Sequence, residues 1–374
     1  MSDSRLENLA KILVQYSTSV QPGDRMAILA QPAAMPLVEE IYSAILKAGG
    51  FPYYLVGGLR SRVETDRLAY LLFTQGNDEQ IQHVHQFEKK IREEFEGMII
   101  LYSQENTRAL SSVPPSKQSD RAKAFIDVTK IYQARSASGE FKWALSLYPT
   151  HAYAQDAEMS LHEFEDYVYG TTFADTDDPV AAWNRIHDEQ QRLVDWLKGK
   201  KMLEVRGPNV DLKLSIEGRS FINSDGHKNM PSGEIYTSPV ENSTEGWVHF
   251  TYPAIRESRE VDGIELVFEE GKVVKASASK NEEFLNAMLD TDKGARYLGE
   301  FAIGTNKRIN KFIKSILFDE KIGGTIHMAV GYGFTEAGSK NESAIHWDMI
   351  CDMREGGQIT ADGELFYDSG EFRI

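Results

Sequence analysis

Apolar residues recur at helical spacing over residues 5–16 (RLENLAKILVQY), with Leu6, Leu9, Ile12, Leu13 and Tyr16 on one face, which predicts a helix. Gln21-Pro22-Gly23-Asp24 is a turn, and residues 25–30 (RMAILA) read as a short buried strand. Residues 36–47 return to helical spacing with Leu37, Ile41, Ala44 and Ile45 inward, and Gly49-Gly50 stops them. Residues 51–56 (FPYYLV) form the next predicted strand. Strand–helix–strand is the βαβ signature of a parallel sheet. Residues 97–102 (GMIILY) and 143–148 (WALSLY) predict further strands, with a helical stretch at 119–126 between them. The N-terminal part therefore reads as an α/β domain built on a parallel sheet.

Thr176-Asp177-Asp178-Pro179 has the acidic cap and first-turn proline of a helix start. The helix runs through Trp183, Ile186, Leu193 and Trp196 to Gly199, and its start marks the expected boundary between domains 1–175 and 176–374. Beyond Gly199 the texture changes. Residues 202–205 and 210–216 alternate around Gly207-Pro208-Asn209, and residues 264–268 and 273–278 flank Glu269-Glu270-Gly271-Lys272, so two hairpins are predicted. Further strands read at 298–303, 325–330 and 344–350, with few helices between them. The second domain is expected to be β-rich α+β.

Composition narrows the possible partners. A chain of 374 residues exceeds one ordinary hydrophobic core, which agrees with two domains. A net charge of -16 repels phosphate backbones and anionic bilayers, so neither nucleic acid nor a membrane surface is expected as a partner. The single cysteine, Cys351, allows no intrachain disulfide and no thiolate metal cluster, and points to a reducing compartment, the cytoplasm. The opening MSDSRLENLAK is charged and lacks an apolar core, so no secretion signal is expected. No apolar run reaches the roughly 18 residues of a membrane span.

Candidate chemistry concentrates in the second half. In His346-Trp347-Asp348 on a strand, the imidazole and carboxylate point one way while Ile345, Trp347 and Met349 point the other. That is the geometry of a metal-ligand pair, and equally of a His–Asp hydrogen bond on a wet face. His327 lies among Ile326, Met328 and Val330 and shares its face with the small residues Thr325 and Ala329. Taken alone, it reads better as a satisfied core histidine. Glu300 sits in the apolar strand Leu298-Gly299-Glu300-Phe301-Ala302-Ile303-Gly304, where a carboxylate is costly unless it is paired, metal-bound or at a wet edge. The flanking Gly299 and Gly304 suggest close backbone approach. Glu234 follows the turn-rich Asn229-Met230-Pro231-Ser232-Gly233, a place for a solvated glutamate or for a catalytic group held by a scaffold. Three carboxylates and two imidazoles form a sensible ligand set for two divalent ions, whose chemistry suits amide hydrolysis. Two other motifs are set aside. Gly331-x-Gly333 lacks the third glycine of a dinucleotide fingerprint, and His83-x-His85 reads as a solvated helix face.

The segments NMPSGEIYTSPVENSTEG, LGEFAIGTN, GTIHMAVG and GSKNESAIHWDMI resemble, in order and spacing, the aminopeptidase T/aminopeptidase S family of metallopeptidases. VQPGDRMAILA and the helix ending in KAGG extend the resemblance over essentially the whole chain. It implies removal of N-terminal residues from peptides with a free N-terminus, using two divalent ions (zinc, cobalt or magnesium), in a homodimer. It also implies that Glu234, Glu300, His327, His346 and Asp348 are the ligands, with Glu300 or Glu234 as an alternative general base. One departure stands out. The family usually carries a tyrosine seven residues after the strand histidine, and this chain has Phe334. Tyr332 would share that face if the strand continued, and could then supply the phenol to an oxyanion. Two rivals stay open at this point: another dinuclear hydrolase such as a phosphoesterase, and a peptide-binding paralog that cuts poorly.

Overall fold

The computed structural model describes residues 3–57, 65–256 and 259–374. The chain divides into two compact units, Met1–Asn184 with Gly226–Pro231, and Arg185–Asp225 with Ser232–Ile374. The long helix Pro179–Leu197 carries the chain from the first into the second.

The first unit is built on a four-stranded sheet in the order Phe51–Val56, Arg25–Ala30, Gly97–Tyr102, Lys142–Leu147, with every pair parallel. Met26–Ala30 are all buried, as a continuous apolar run in a covered parallel sheet must be. The helix Met35–Lys47 makes the crossover between the first two strands and buries Leu37, Val38, Ile41 and Ile45. The N-terminal helix differs from the expected single α-helix over 5–16. It is α-helical over Ser4–Lys11, with the Asp3 carboxylate accepting from the Arg5 amide, and it widens to π pitch over Ile12–Ser17. The Thr18 amide accordingly donates back to the Leu13 carbonyl, five residues earlier, at 3.1 Å. The wider turn lets Ile12, Leu13, Val14 and Tyr16 all be buried. His83 and His85 are exposed, as expected, but they flank a break between the helices Asp78–Gln82 and Gln86–Glu94 rather than sharing a helix face.

The second unit holds two larger sheets. An eight-stranded sheet runs Lys272–Ser277, Glu265–Glu269, Glu245–His249, Val210–Ser215, Met202–Gly207, Gln358–Ala361, Glu364–Asp368, Glu371–Phe372. Both predicted hairpins lie in it. A five-stranded antiparallel sheet runs His346–Asp352, Thr325–Gly331, Leu298–Gly304, Glu234–Thr237, Ile222–Ser224. Val205, Leu212 and Phe268 from the first sheet share one apolar core with Ile235, Phe301, Met328 and Trp347 from the second. Alternation along each strand turns one face of the five-stranded sheet into this core and leaves the other face for different work.

Phe301 is fully buried at the middle of that core face. Phe301→Ala should lower the unfolding free energy by about 3–5 kcal/mol, through lost transfer energy plus an unfilled cavity, as read from urea denaturation midpoints at unchanged m-value.

Candidate metal centre

The register of the five-stranded sheet decides which side chains meet. Ala302 stands opposite both Tyr236 and His327, Ala329 opposite both Glu300 and Asp348, Gly331 opposite His346, and Gly304 opposite Glu234. Directly opposed residues share a face. Glu234, Glu300, His327, His346 and Asp348, together with Tyr236, therefore project from the side opposite the apolar core.

Local sequence makes this register possible. Gly233 precedes Glu234 with φ +119°, and a Cβ there would stand 2.6 Å from the Asn306 Cβ. Gly299 lies in a bulge beside Glu300, where a Cβ would sit 2.3 Å from the Tyr332 carbonyl oxygen. The Glu234 strand is also tied from behind. Gln190 Nε2 donates to the carbonyls of Glu234 (3.1 Å) and Ser224 (3.0 Å), and the Thr305 hydroxyl donates to Gln190 Oε1 at 2.7 Å.

The five polar heads converge. His327 Nε2 is 3.4 Å from Glu234 Oε2 and 3.6 Å from Glu300 Oε1. His346 Nε2 is 3.1 Å from Glu300 Oε2 and 3.3 Å from Asp348 Oδ1. One donor atom from each of Glu300, His327 and Asp348 lies within 4.8 Å of the others. His327 is 1%, Glu300 4% and Glu234 5% exposed, so none of these charges is solvated. His346 Nδ1–H donates to the Tyr332 carbonyl at 2.8 Å, which turns Nε2 toward the carboxylates. A backbone carbonyl behind a histidine in this way fixes its tautomer for metal binding. The strand ends at Gly331, where φ is +101°, so Tyr332 and Phe334 do not continue it. The Phe334 ring instead lies edge-on to His346 (5.0 Å) and near the rings of Tyr236 (5.1 Å) and Tyr332 (6.1 Å).

Charge at this face is tightly balanced. Burial alone would push both imidazoles toward neutrality, but the neighbouring carboxylates outweigh it. His327 rises to about 9 beside Glu300 and Glu234, and His346 rises well above the usual range beside Asp348 and Glu300. Burial would raise Asp348 and Glu300, yet the imidazoles hold both below the usual carboxylate range. Two further charges face the group. Lys321 is fully buried, hydrogen-bonded to Glu320 Oε1 and 3.6 Å from Glu234 Oε1. Burial lifts Glu320 to about 7 against the pull of Lys321. Burial opposes the Lys321 charge, and Glu234 and Glu320 overcome it and keep the ammonium charged.

A divalent ion fits this set. Glu234 Oε2, Asp348 Oδ1 and His327 Nδ1 are buried and have no hydrogen-bond partner. Buried carboxylate oxygens in that condition cost several kcal/mol unless a cation completes them. Carboxylates with imidazoles are a donor set for zinc, cobalt or magnesium.

Lys321, Glu320 and Tyr236 escape a reading of the sequence alone. Tyr236 carries a usable signal, since it stands two residues from Glu234 on a strand and so shares its face. Glu320-Lys321 looks like a solvated charge pair after a short helix, and nothing in the pattern marks its burial.

The sequence profile of the thermophilic metalloprotease (M29) family matches residues 2–372. The chain belongs to this family. Among the relatives of this metalloprotease, aminopeptidase 2 of Geobacillus stearothermophilus is 26% identical over 97% of this chain and 95% of its own length. Aminopeptidase T of Thermus thermophilus is 27% identical over 94% and 93%. A solved structure of wild-type AmpT from Thermus thermophilus superposes with TM-score 0.85 at 22% identity, covering 99% of both chains. The fold expected from the sequence, an α/β domain with a parallel sheet followed by a β-rich α+β domain, is the fold of that neighbour. Among the described residues, no helix of the metalloprotease is long and apolar enough to cross a membrane.

Because His327 is held protonated up to about 9, an ion that takes its nitrogen must displace a proton. Divalent-ion affinity should therefore rise with pH across the range from 6 toward about 9, and binding should release protons. Calorimetric titrations in buffers of different ionisation enthalpy measure that release directly, and an affinity independent of pH would contradict the arrangement.

Proposed function

We propose that this metalloprotease is an aminopeptidase, hydrolysing the first peptide bond of peptides with a free N-terminus. The observation that carries the proposal is the meeting of Glu234, Glu300, His327, His346 and Asp348 on one buried sheet face, with three of their polar atoms left without hydrogen bonds. The full-length likeness to aminopeptidases supports the reaction class. The phosphoesterase alternative has less support, because the charged groups facing the centre are mostly carboxylates, which repel a phosphate.

In this reading the five side chains hold the ion. Bound there, a divalent ion would polarise the scissile carbonyl and bring water to nucleophilic strength near neutral pH. Two ions, as the family resemblance implies, would be held by these same five side chains. Glu300 lies between both imidazoles, so it is placed either to ligate or to accept a proton from the attacking water. The Tyr332 carbonyl orients His346. A phenol to stabilise the oxyanion would come from Tyr236, which shares the sheet face of Glu234 and Glu300, or from Tyr332, which lies past the strand end with its ring near Phe334. The carboxylates of the site and the acidic chain favour a substrate's protonated α-amine. A homodimer and a cytoplasmic setting complete the reading. Cys351 is a buried free thiol, in keeping with a reducing compartment.

Chelation should abolish cleavage of aminoacyl-nitroanilides, and zinc or cobalt should restore it, while N-acetylated substrates and nitrophenyl phosphate stay uncut. His346→Ala and Glu300→Ala should each lose more than about 100-fold in metal affinity, with activity falling in parallel. Unchanged cleavage in either variant would remove the site assignment. Comparing kcat for Tyr332→Phe with that for Tyr236→Phe tells which phenol acts, and no loss in either removes the phenol from the mechanism. Light scattering should give twice the 42.2 kDa chain mass.

A further inference from the structure

An enzyme that cuts only at a free N-terminus needs an anion for the substrate's ammonium group. Glu234, Glu300 and Asp348 are taken up by the ion in the reading above. Glu320 does not serve, because its carboxylate accepts from the buried Lys321, whose ammonium would repel a second one. Glu336 differs from all four. It is exposed, and among the described residues its one close polar contact is the Tyr236 hydroxyl, 3.5 Å from its Oε1. That is long for an O–H···O bond, so the carboxylate keeps its capacity to accept.

Tyr236 connects Glu336 with the metal centre. It stands two residues from Glu234 on one strand and shares its face. Burial raises the pKa of its phenol, and Glu336, Glu300 and Glu234 raise it further, so the hydroxyl lies between the outer carboxylate and the inner ones. The Phe334 ring fills the space alongside, 5.1 Å from the Tyr236 ring and 5.0 Å from the His346 ring. An aromatic wall thus leads from a metal ligand to an exposed carboxylate, and such rings attract an ammonium as well. The turn Thr335–Ala337 that carries Glu336 is firmly tied. The Phe334 amide donates to the Ser238 hydroxyl at 2.9 Å, and the Phe334 carbonyl accepts from the Ala337 and Ser339 amides at 3.1 and 3.0 Å. The Lys340 amide donates to Glu241 Oε1 at 2.7 Å, and Glu241 is itself paired with Arg219 at 2.6 Å. Glu336 is therefore held at the rim of the centre by its own backbone.

We propose that Glu336, beside Tyr236, is the substrate-binding residue that receives the protonated α-amine of the peptide. The inference rests on the aminopeptidase reading and adds to it the group that recognises the free N-terminus. The five ligands act on the scissile carbonyl, and Glu336 measures whether an ammonium stands next to it.

The test uses the zinc-loaded full chain. Kinetics on leucyl- and lysyl-nitroanilide are compared for wild type, Glu336→Gln and Glu336→Asp. Competitive inhibition is measured with leucinol, which cannot be cleaved, and with its des-amino counterpart 4-methylpentanol. Glu336 is exposed and glutamine keeps its shape, so the substitution leaves the fold intact. Wild type should bind leucinol at least about tenfold more tightly than the des-amino alcohol. Glu336→Gln should raise KM for both nitroanilides and weaken leucinol roughly 10- to 100-fold, the loss of one hydrogen bond to a charged group, without moving the des-amino alcohol. Glu336→Asp should recover part of the loss. A loss confined to the lysyl substrate would put the side-chain ammonium at Glu336 and overturn the α-amine assignment. An unchanged leucinol preference in Glu336→Gln would overturn the proposal and leave the aminopeptidase reading standing. No cleavage of either nitroanilide by the wild-type chain would remove that reading and the proposal with it.

Discussion

Antiparallel register in a single five-stranded sheet is the constraint on which this molecule depends. Each strand offers alternate residues to opposite faces, so one sheet can bury Ile235, Phe301, Met328 and Trp347 on one side and present Glu234, Glu300, His327, His346 and Asp348 on the other. A slip of one residue in any pair would exchange the two sets, driving carboxylates into hydrocarbon and exposing the core. The apolar face therefore fixes the geometry of the polar face. The large side chains of the shared core and the ladder between the strands hold the polar heads within a few ångströms of one another.

The polar face is held against its own electrostatics. Glu234, Glu300, Asp348 and Glu320 crowd into a region with almost no solvent. Their mutual repulsion is offset by cations of three kinds: the imidazolium forms of His327 and His346, the Lys321 ammonium, and the divalent ion that the family uses. The raised imidazole pKa values express the same demand for positive charge that the ion satisfies when it displaces the protons. The orphaned oxygens of Glu234 and Asp348 express it again as missing bonds. Function and stability are thus coupled at this face, since the groups that bind the ion are those the fold can least tolerate without one.

Precision comes from small residues and from behind the strands. Gly299 and Gly233 permit approaches that any side chain would block, and Gln190 clasps the strand that carries Glu234 together with its edge neighbour Ile222–Ser224. The Tyr332 carbonyl sets the His346 ring. None of these groups is a ligand, yet each removes a freedom that would blur the donor positions.

The sequence by itself determined a good deal. Alternation and helical spacing marked the parallel strands of the first unit and the hairpins and site strands of the second, because period follows from backbone geometry alone. The charged residues at apolar-strand positions, Glu300 and His327, were conspicuous for the cost of burying them, and His346 and Asp348 for their shared face. Glycines beside Glu300 foretold a close backbone approach, though not the bulge that it serves. What only the tertiary structure decided is what depends on distant segments meeting. The widening of the first helix at Ile12, the break between His83 and His85, and the end of the strand at Gly331 before Tyr332 are all set by packing that no local period records. The same holds for Lys321. In the chain it is one of 41 basic residues, next to a glutamate and after a short helix. It becomes a buried counter-charge only because the Glu234 strand, far away in sequence, is brought beside it, and burial of a charge is a property of the surroundings rather than of the residue.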